Sequence, residues 1–390
     1  MDLKDYFDPV ELDKPDVYTN LGDKVFYKNI FTHSQNNPVS NININGYNLA
    51  IVGIKEDRNS VVKGSAMAPD IIRNKLYQLA AIDKIKIIDL GNIKQGNTIN
   101  DSYAGIKDVC SYLLNNNINI LLLGGSNDLV FPVITNHFWK SKQVELTCID
   151  ARINFDNKST DINSENYLNR IIEEKENSGF FLNNIGHQMY LNNTENIEIL
   201  NNNLFNICRL GEVRKSPVRF EPLIRNSDIV TLDICSIKQS EAQGQYNPSP
   251  NGFTGDETCQ IALFAGMSEK TKVFGIFDVF PDFDINEQTT GLSAQLAWHY
   301  IFGVAGCQGE DPEKSQHFKK FIIGMETRNT FITFYKSEVT ERWWLEVVKN
   351  DKNQTKLFIP CTLDDYEKAC RHEIPDIWWK ASQRYNIENK

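Results

Sequence analysis

Residues 48–54 read Asn-Leu-Ala-Ile-Val-Gly-Ile, and they open the pattern that decides the fold. From here to about residue 305, short runs rich in leucine and β-branched residues alternate with amphipathic stretches. Short apolar runs predict buried strands, and the amphipathic stretches between them predict helices. Strands that alternate with helices are typical of a parallel sheet covered by helices on both faces. We therefore predict an α/β protein with a mostly parallel sheet.

The elements follow one another without a break along this part of the chain. The predicted strands are 48–54, 85–90, 118–123, 143–149, 179–184, 204–209, 228–234 and 272–278. The predicted helices are 69–81, 101–115, 127–141, 164–176, 194–203, 254–268 and 286–304. Because the alternation is unbroken, we predict one α/β domain over residues 47–305 rather than two.

Two regions flank this domain. Residues 1–46 lack clear periodicity and are predicted to form an extended, turn-rich arm. Beyond a polar linker, 331–335 and 343–348 predict a β-hairpin, and 363–385 predicts two short helices. We expect this C-terminal extension, residues 306–390, to pack on the core or on a neighbouring subunit.

Composition excludes several classes of protein. The chain has 390 residues with 41 Lys and Arg against 51 Asp and Glu, a formal charge of −10. This balance disfavours nucleic acid or an anionic membrane as a partner, since both need a concentrated positive surface. No apolar run approaches the ~20 residues that span a bilayer, and no signal peptide opens the chain. The eight cysteines are dispersed without a Cys-x-x-Cys pair, so we predict reduced thiols and a cytoplasmic location.

Chemistry is expected at the carboxyl ends of the strands, where open parallel sheets bind their ligands. Four of these ends carry polar residues: 124–128, 150–154, 233–235 and Asp278. Asp150, Asp233 and Asp278 are therefore predicted to converge on one edge of the sheet. Converging carboxylates repel one another and remain charged only with a cation among them. Either a metal ion or a basic side chain must supply that charge.

The motifs at these strand ends resemble those of the arginase/agmatinase/formimidoylglutamase (ureohydrolase) family, closest to its formimidoylglutamase branch. The segment 64–73, Gly-Ser-Ala-Met-Ala-Pro-Asp-Ile-Ile-Arg, is similar to an early segment of the family, and 278–281, Asp-Val-Phe-Pro, is similar to a late one. The polar segment 247–253 lies between them, and the likeness covers about residues 48–305. The resemblance implies a three-layer α/β/α (arginase-like) domain with two Mn²⁺ ions at the strand ends. A hydroxide bridging the ions would attack the guanidino or formimino carbon of the substrate.

This sequence departs from the metal-binding pattern that the resemblance implies. Asp150 and Asp233 are the two strong ligands that remain of six implied positions, and both implied imidazoles are absent. The family's substrate-side Glu falls on Asp278. The other four implied ligand positions carry Asn127, Arg152, Asn154 and Cys235, and Ser126 replaces the Asp that precedes the first implied imidazole.

Charge favours a reading in which Arg152 replaces the metal. A guanidinium about 4 Å from a dication would be repelled by roughly 8 kcal/mol at an effective dielectric near 20, twice the unit-charge value. The same guanidinium would attract Asp150, Asp233 or Asp278. We therefore hypothesise that Arg152 is the neutralising cation and that no cofactor binds.

The leading functional prediction is a non-catalytic scaffold, regulatory subunit or sensor of a small ligand, with a possible protein partner and a homo-oligomeric assembly. The alternative is a divergent C–N hydrolase of formimino or guanidino groups that uses Mn²⁺. In that case Asp150, Asp278 and His187 are the catalytic candidates. His187 is either a ligand-pocket residue or a structural histidine. Cys235 is either a buried inert thiol or a nucleophile. The inert thiol is favoured, because Cys235 lacks an obvious paired histidine.

Overall fold

The computed structural model describes residues 2–11, 21–39, 43–134, 143–159, 162–175, 179–314, 316–325, 330–349 and 354–386. Over these ranges the chain forms a ten-stranded sheet and a separate four-stranded sheet. Helices flank the ten-stranded sheet on both faces. The predicted α/β/α architecture with a mostly parallel sheet is therefore confirmed.

The large sheet has the order β1-β4-β3-β5-β10-β9-β6-β7-β8, and β2 also pairs with β4. All of its pairings are parallel except that of β1 with β4. The strands are β1 (Phe7–Asp8), β2 (Phe31–Thr32), β3 (Leu49–Ile54), β4 (Ile87–Ile93), β5 (Asn119–Leu123), β6 (Val144–Ile149), β7 (Phe180–His187), β8 (Asn206–Arg209), β9 (Ile229–Asp233) and β10 (Val273–Phe277). Most of the central strands are buried throughout, as their continuous apolar runs predict.

Two hydrophobic clusters separate the helices into layers. One cluster joins the sheet to α2 and α3, and the other joins it to α1, α8 and α9. Local sequence sets the starts of two of these helices, because Thr98 and Thr254 form capping boxes with Asp101 and Glu257. The helices are α1 (Ala68–Leu76), α2 (Ile99–Asn115), α3 (Val130–Ile134), α4 (Leu168–Lys175), α5 (Thr194–Asn202), α6 (Leu210–Lys215), α7 (Glu221–Arg225), α8 (Gly255–Gly266) and α9 (Gln288–Gly306).

The differences from the predicted elements concern short pieces of structure. The N-terminal arm contributes β1 and β2 to the sheet, and two-residue strands are too short to show a period. The helix predicted over 127–141 begins as a 3-10 turn and continues as α3; its residues 135–141 lie outside the described residues. Helices α6 and α7 were not predicted from the sequence, because each has fewer than seven residues.

The C-terminal unit is larger than predicted. The predicted hairpin consists of β12 (Thr330–Ser337) and β13 (Trp343–Val348), and β11 (Phe318–Met325) and β14 (Lys356–Cys361) extend it to four antiparallel strands. Lysines and a glycine in β11 and a proline in β14 weaken the strand signal there. The two predicted helices are present, as α10 (Leu363–Cys370) and α11 (Asp376–Asn386).

The C-terminal unit packs against the α/β domain of the same chain. The Arg225 guanidinium lies over the Trp344 ring, 4.4 Å from its centroid, and donates a 3.4 Å hydrogen bond to the Trp343 carbonyl. On its other face the sheet buries Phe334 and Leu345 against α10 and α11. Among the described residues, no helix combines the length and the apolar character that a membrane span requires.

Candidate functional site

The sheet order brings the polar strand ends together. Strands β5, β10, β9 and β6 are consecutive neighbours, so the segment 124–128, Asp278, Asp233 and Asp150 lie along one stretch of the carboxyl edge. Gly125 allows the first of these segments to turn closely, because a Cβ there would lie 1.8 Å from the Glu56 carbonyl oxygen. The predicted convergence of the three aspartates is therefore present in the fold.

An asparagine side chain bridges two of the carboxyl groups. The Asn127 Nδ2 donates to Asp233 Oδ2 at 2.6 Å and to Asp278 Oδ2 at 2.8 Å. The second oxygen of Asp233 accepts the backbone N–H of Cys235 at 2.6 Å. A neutral amide thus occupies the space between two carboxyls where the family resemblance implies a metal-binding imidazole.

Asp150 is also surrounded by N–H donors. Its Oδ1 accepts the backbone N–H of Arg152 at 2.9 Å, and its Oδ2 accepts the Asn154 amide at 2.8 Å. Both oxygens therefore receive hydrogen bonds from groups that cannot coordinate a cation through the donating atom.

Asp278 differs from the other two aspartates in its backbone and in its free oxygen. Its φ of 56° lies in the left-handed region, and its N–H donates to the Gly125 carbonyl at 2.9 Å. Its Oδ1 is buried without a hydrogen-bond partner among the described residues. An orphaned buried oxygen is costly, so this atom is where the cluster would accept a proton or a further polar group.

A fourth buried carboxyl, on Asp128, was missed as a candidate. Its oxygens accept the hydroxyls of Tyr103 and Ser126, each at 2.5 Å. The signal was available, since Asp128 follows β5 in the same strand-end segment as Asn127. Ser126 therefore belongs to the Asp128 hydrogen-bond group rather than to the three converging aspartates.

The carboxyl groups have raised pKa values. Burial, followed by the charge of Asp233, raises the pKa of Asp150 well above its usual range. Burial and the charge of Asp233 likewise raise the pKa of Asp278 well above its usual range. Burial raises the pKa of Asp233 itself to about 6. Buried like charges resist ionisation together, so this arrangement favours the protonated forms of Asp150 and Asp278.

Arg152 does not form the expected ion pair. Among the described residues, no guanidinium nitrogen of Arg152 lies within 4.0 Å of a carboxylate, and its Nη1 donates instead to the Leu191 carbonyl at 3.4 Å. The positive charge of Arg152 partly offsets the rise in the pKa of Asp150 and of Asp233, because it attracts both carboxylates from a distance. The expected close ion pair is therefore not formed, and amide and backbone N–H groups contact Asp150 and Asp233 instead.

The remaining candidates, His187 and Cys235, lie differently around the aspartates. A bulge at Gly186 redirects β7, and the charges acting on the His187 imidazole come from Glu212 and Arg209 on the β8 side. Burial lowers the pKa of His187, which favours the neutral ring. Burial and the charge of Asp233 raise the pKa of the Cys235 thiol well above its usual range, which favours the protonated thiol over the nucleophilic thiolate.

The cluster is closed from solvent. Asp150, Asp233 and Asp278 are 3%, 5% and 0% exposed, so the described residues shield them almost completely from solvent in this conformation. Tyr246 helps to cover them: its ring packs on Phe280 with centroids 5.4 Å apart, and its hydroxyl donates to Glu165 at 3.3 Å. Sequence reasoning missed Tyr246 because its loop carries no periodic signal.

A small pocket of about 160 Å³ lies outside this cluster. Arg152 and Asn154 contribute to its wall, together with Glu165 and Asn192. The predicted pocket residues are therefore divided among three environments: Asn127, Asn154 and Cys235 contact the aspartates, Ser126 contacts Asp128, and Arg152 borders the outer pocket.

Comparison with known proteins places this arrangement in context. The Arginase family model matches residues 47–303. A formimidoylglutamase of Staphylococcus haemolyticus is 22% identical over 261 residues, which cover 64% of this chain and 82% of that protein.

Solved structures share the fold at low sequence identity. The Trypanosoma cruzi formiminoglutamase with Mn²⁺ is 17% identical, with a TM-score of 0.61 over 67% of this chain and 95% of that chain. The formimidoylglutamase of Bacillus subtilis is 18% identical, with a TM-score of 0.60 over 67% of this chain and 88% of that chain. The agmatine ureohydrolase of Thermoplasma volcanium is 19% identical, with a TM-score of 0.58 over 67% and 92%.

Proposed function

The chain belongs to the arginase family, and we propose that it is a non-catalytic member whose strand-end site does not bind two Mn²⁺ ions. On this proposal it serves as a scaffold, a regulatory subunit or a sensor of a small ligand. The fold is that of the formimidoylglutamases, and the chemistry of the site has changed.

The Asn127 amide carries this proposal. Two Mn²⁺ ions about a shared hydroxide need carboxylate and imidazole lone pairs that point at the metals. Here an N–H₂ group points at the oxygens of Asp233 and Asp278, and N–H groups cover both oxygens of Asp150. Among the described residues, no group of three or more His, Cys, Asp and Glu side chains is arranged to hold a metal ion. The donor set therefore does not fit a dinuclear manganese site.

Elemental analysis tests the proposal. After incubation with excess Mn²⁺ and gel filtration, the protein should carry no stoichiometric manganese, whereas about two ions per chain would contradict the proposal. In parallel, the protein is incubated with Mn²⁺ and N-formimino-glutamate, agmatine or arginine, and formamide or urea is assayed. Turnover that Asp150→Ala abolishes would also contradict it.

A restored variant provides the matched control. It combines the substitutions Ser126→Asp, Asn127→His, Arg152→His, Asn154→Asp and Cys235→Asp. These changes return the implied ligand types to the same strand ends, so manganese per chain should rise towards two. Circular dichroism confirms that the variant is folded. A folded variant that gains no manganese would show that these five positions are not the cause.

The alternative is a divergent hydrolase of formimino or guanidino groups, and one observation favours it. The unpartnered Oδ1 of Asp278 is a carboxylate oxygen at the position that the resemblance assigns to the substrate side. Mn²⁺ would be its cofactor, with Asp150 and Asp233 as the remaining ligands. Mn²⁺-dependent release of formamide or urea, lost in Asp278→Ala, would establish it.

Assembly and location are part of the proposal. We infer a homo-oligomer, and mass photometry should give a multiple of the 44.7 kDa chain mass; a single species at that mass would contradict this. A cytoplasmic location is supported by the eight cysteines, none of which forms a disulfide. Cell fractionation tests it.

A further inference from the structure

A cavity of about 470 Å³ lies between the α/β domain and the C-terminal unit. Its lining includes Glu145 near the start of β6 and Asn206 at the start of β8, so it opens at the amino edge of the sheet. Asp150 follows the other end of β6, roughly 16 Å away at about 3.3 Å per strand residue. The cavity is therefore separate from the aspartate cluster. Its volume is within the range of about 300–1,000 Å³ that small-molecule sites occupy.

Apolar and basic side chains line the cavity. Helix α7 and the segment before it supply apolar side chains on one side, and β14 and α11 supply them on the other. The apolar lining residues are Phe220, Pro222, Leu223, Ile359, Pro360, Ile377 and Ala381. The basic lining residues are Lys215, Arg219, Lys380 and Arg384.

Two of the basic residues are placed where they repel each other. Lys380 and Arg384 are four residues apart on α11 and so share a helix face, where like charges are destabilising. Burial, followed by the charge of Arg384, lowers the pKa of Lys380. The Lys380 Nζ donates to the Asn206 Oδ1 at 2.8 Å, which is a neutral acceptor. An anion in the cavity would give the Lys380 ammonium a charged partner.

The acidic lining residues of the cavity do not form ion pairs with Lys215, Arg219 or Lys380. Glu212 pairs with Arg209 at 3.1 Å, and Asp365 caps the start of α10. Glu145 accepts the amides of Asn183 and Asn226. The fourth acid, Asp376, attracts Lys380 from a distance. Within the described part of the chain, no carboxylate lies within 4.0 Å of a side-chain nitrogen of Lys215, Arg219 or Lys380.

We propose that this cavity binds a small organic anion. Its carboxylate or phosphate group faces Lys380 and Arg219, and its apolar body packs against Phe220 and Ile359. Because both structural units supply walls, the bound anion also holds the C-terminal unit against the α/β domain. Charge-assisted hydrogen bonds from lysine and arginine give the head group its affinity, and burial of the body adds to it.

Isothermal titration calorimetry tests the proposal. The full chain is titrated with four probes at constant ionic strength. Phenyl phosphate and phenylacetate carry both parts of the expected ligand, whereas inorganic phosphate lacks the body and benzyl alcohol lacks the charge. We expect at least one of the two complete probes to bind with a Kd of about 1 mM or below. Which of them binds more tightly identifies the head group. Inorganic phosphate and benzyl alcohol should bind at least tenfold more weakly.

Three variants locate the site. Lys380→Met and Arg219→Met each remove one charge from the cavity, and each should weaken the better probe about tenfold. Lys319→Met removes one charge from the exposed strand β11 and should leave the Kd within about twofold. Arg219 is exposed, so its variant tests the site even if Lys380→Met fails to fold.

Three outcomes would overturn the proposal. The first is that neither complete probe binds more tightly than inorganic phosphate. The second is that benzyl alcohol binds as tightly as phenyl phosphate and phenylacetate, which would indicate an apolar site without charge recognition. The third is that Lys319→Met weakens the better probe as much as Arg219→Met does.

Discussion

One buried aspartate in β4 and three buried aspartates at the carboxyl edge belong to the same sheet, and they have different hydrogen-bond partners. At β4, Asp89 is fully buried and accepts the Arg73 Nε at 2.9 Å, while Arg73 itself is 0% exposed. At the carboxyl ends of β6, β9 and β10, three buried aspartates accept hydrogen bonds from amides and backbone groups. No guanidinium or ammonium lies within 4.0 Å of them among the described residues.

The difference shows what a resident cation does for a buried carboxyl. Burial raises the pKa of Asp70, but hydrogen bonding by Asn92 and the charge of Arg73 outweigh it, so this pKa is lowered. At the other group the cation is remote, and the pKa values rise instead. An amide donates hydrogen bonds but carries no full charge, so at the three aspartates it does not cancel burial and mutual repulsion, which favour retained protons.

The comparison predicts its largest effect for Arg73→Met. Removal of the guanidinium leaves Asp89 buried without its partner, which should cost about 3–5 kcal/mol of unfolding free energy. Urea unfolding followed by circular dichroism measures the loss.

The double variant Arg73→Met with Asp89→Leu controls for the lost packing. It should recover much of the stability, because an apolar pair carries no desolvation penalty. A loss below about 1 kcal/mol in the single variant would mean that the Arg73–Asp89 ion pair contributes little to stability.

A smaller effect is expected from pH. Because the pKa of Asp233 is about 6 in the folded protein against 3.8 ordinarily, the folded state holds the proton more tightly than the unfolded chain. This contribution to stability is complete below pH 3.8 and is lost as the pH rises through about 6. The loss is of the order of 2–3 kcal/mol.

The variant Asp278→Asn tests whether the raised pKa values of the buried carboxyls cause this loss of stability. It removes a second carboxyl with a raised pKa, so its stability should fall less than that of the wild type over the same pH range. Urea titrations at a series of pH values compare the two proteins. Parallel curves would show that the aspartates are ionised without penalty.

The smallest effect is predicted for Arg152→Met. Its guanidinium makes one 3.4 Å hydrogen bond to a carbonyl, so the loss should be below about 1 kcal/mol. The same urea assay applies. A loss equal to that of Arg73→Met would show that Arg152 pairs with the aspartates in solution.

The large elements of the fold were predictable, and the small ones were not. Continuous apolar runs and amphipathic stretches located the strands and most of the helices of the α/β domain. The pairing of the N-terminal arm with β4 depends on contacts distant in sequence, and so does the growth of the C-terminal hairpin to four strands. Such contacts leave no local period.

At the site, the sequence placed Asp150, Asp233 and Asp278 together but misjudged Arg152. The expectation that residues at the carboxyl ends of parallel strands converge concerns backbone topology, and the structure brings the three aspartates together in this way. The direction of a long side chain depends on its neighbours, and the Leu191 carbonyl holds that of Arg152 outside the cluster.

The sequence by itself determined the architecture and the family, because hydrophobic periodicity and motif residues are local features of the chain. Only the tertiary structure decided how the buried charge is handled. Distance and burial set electrostatic energies, and the position of the Asn127 amide between two carboxyls arises from strands far apart in the chain.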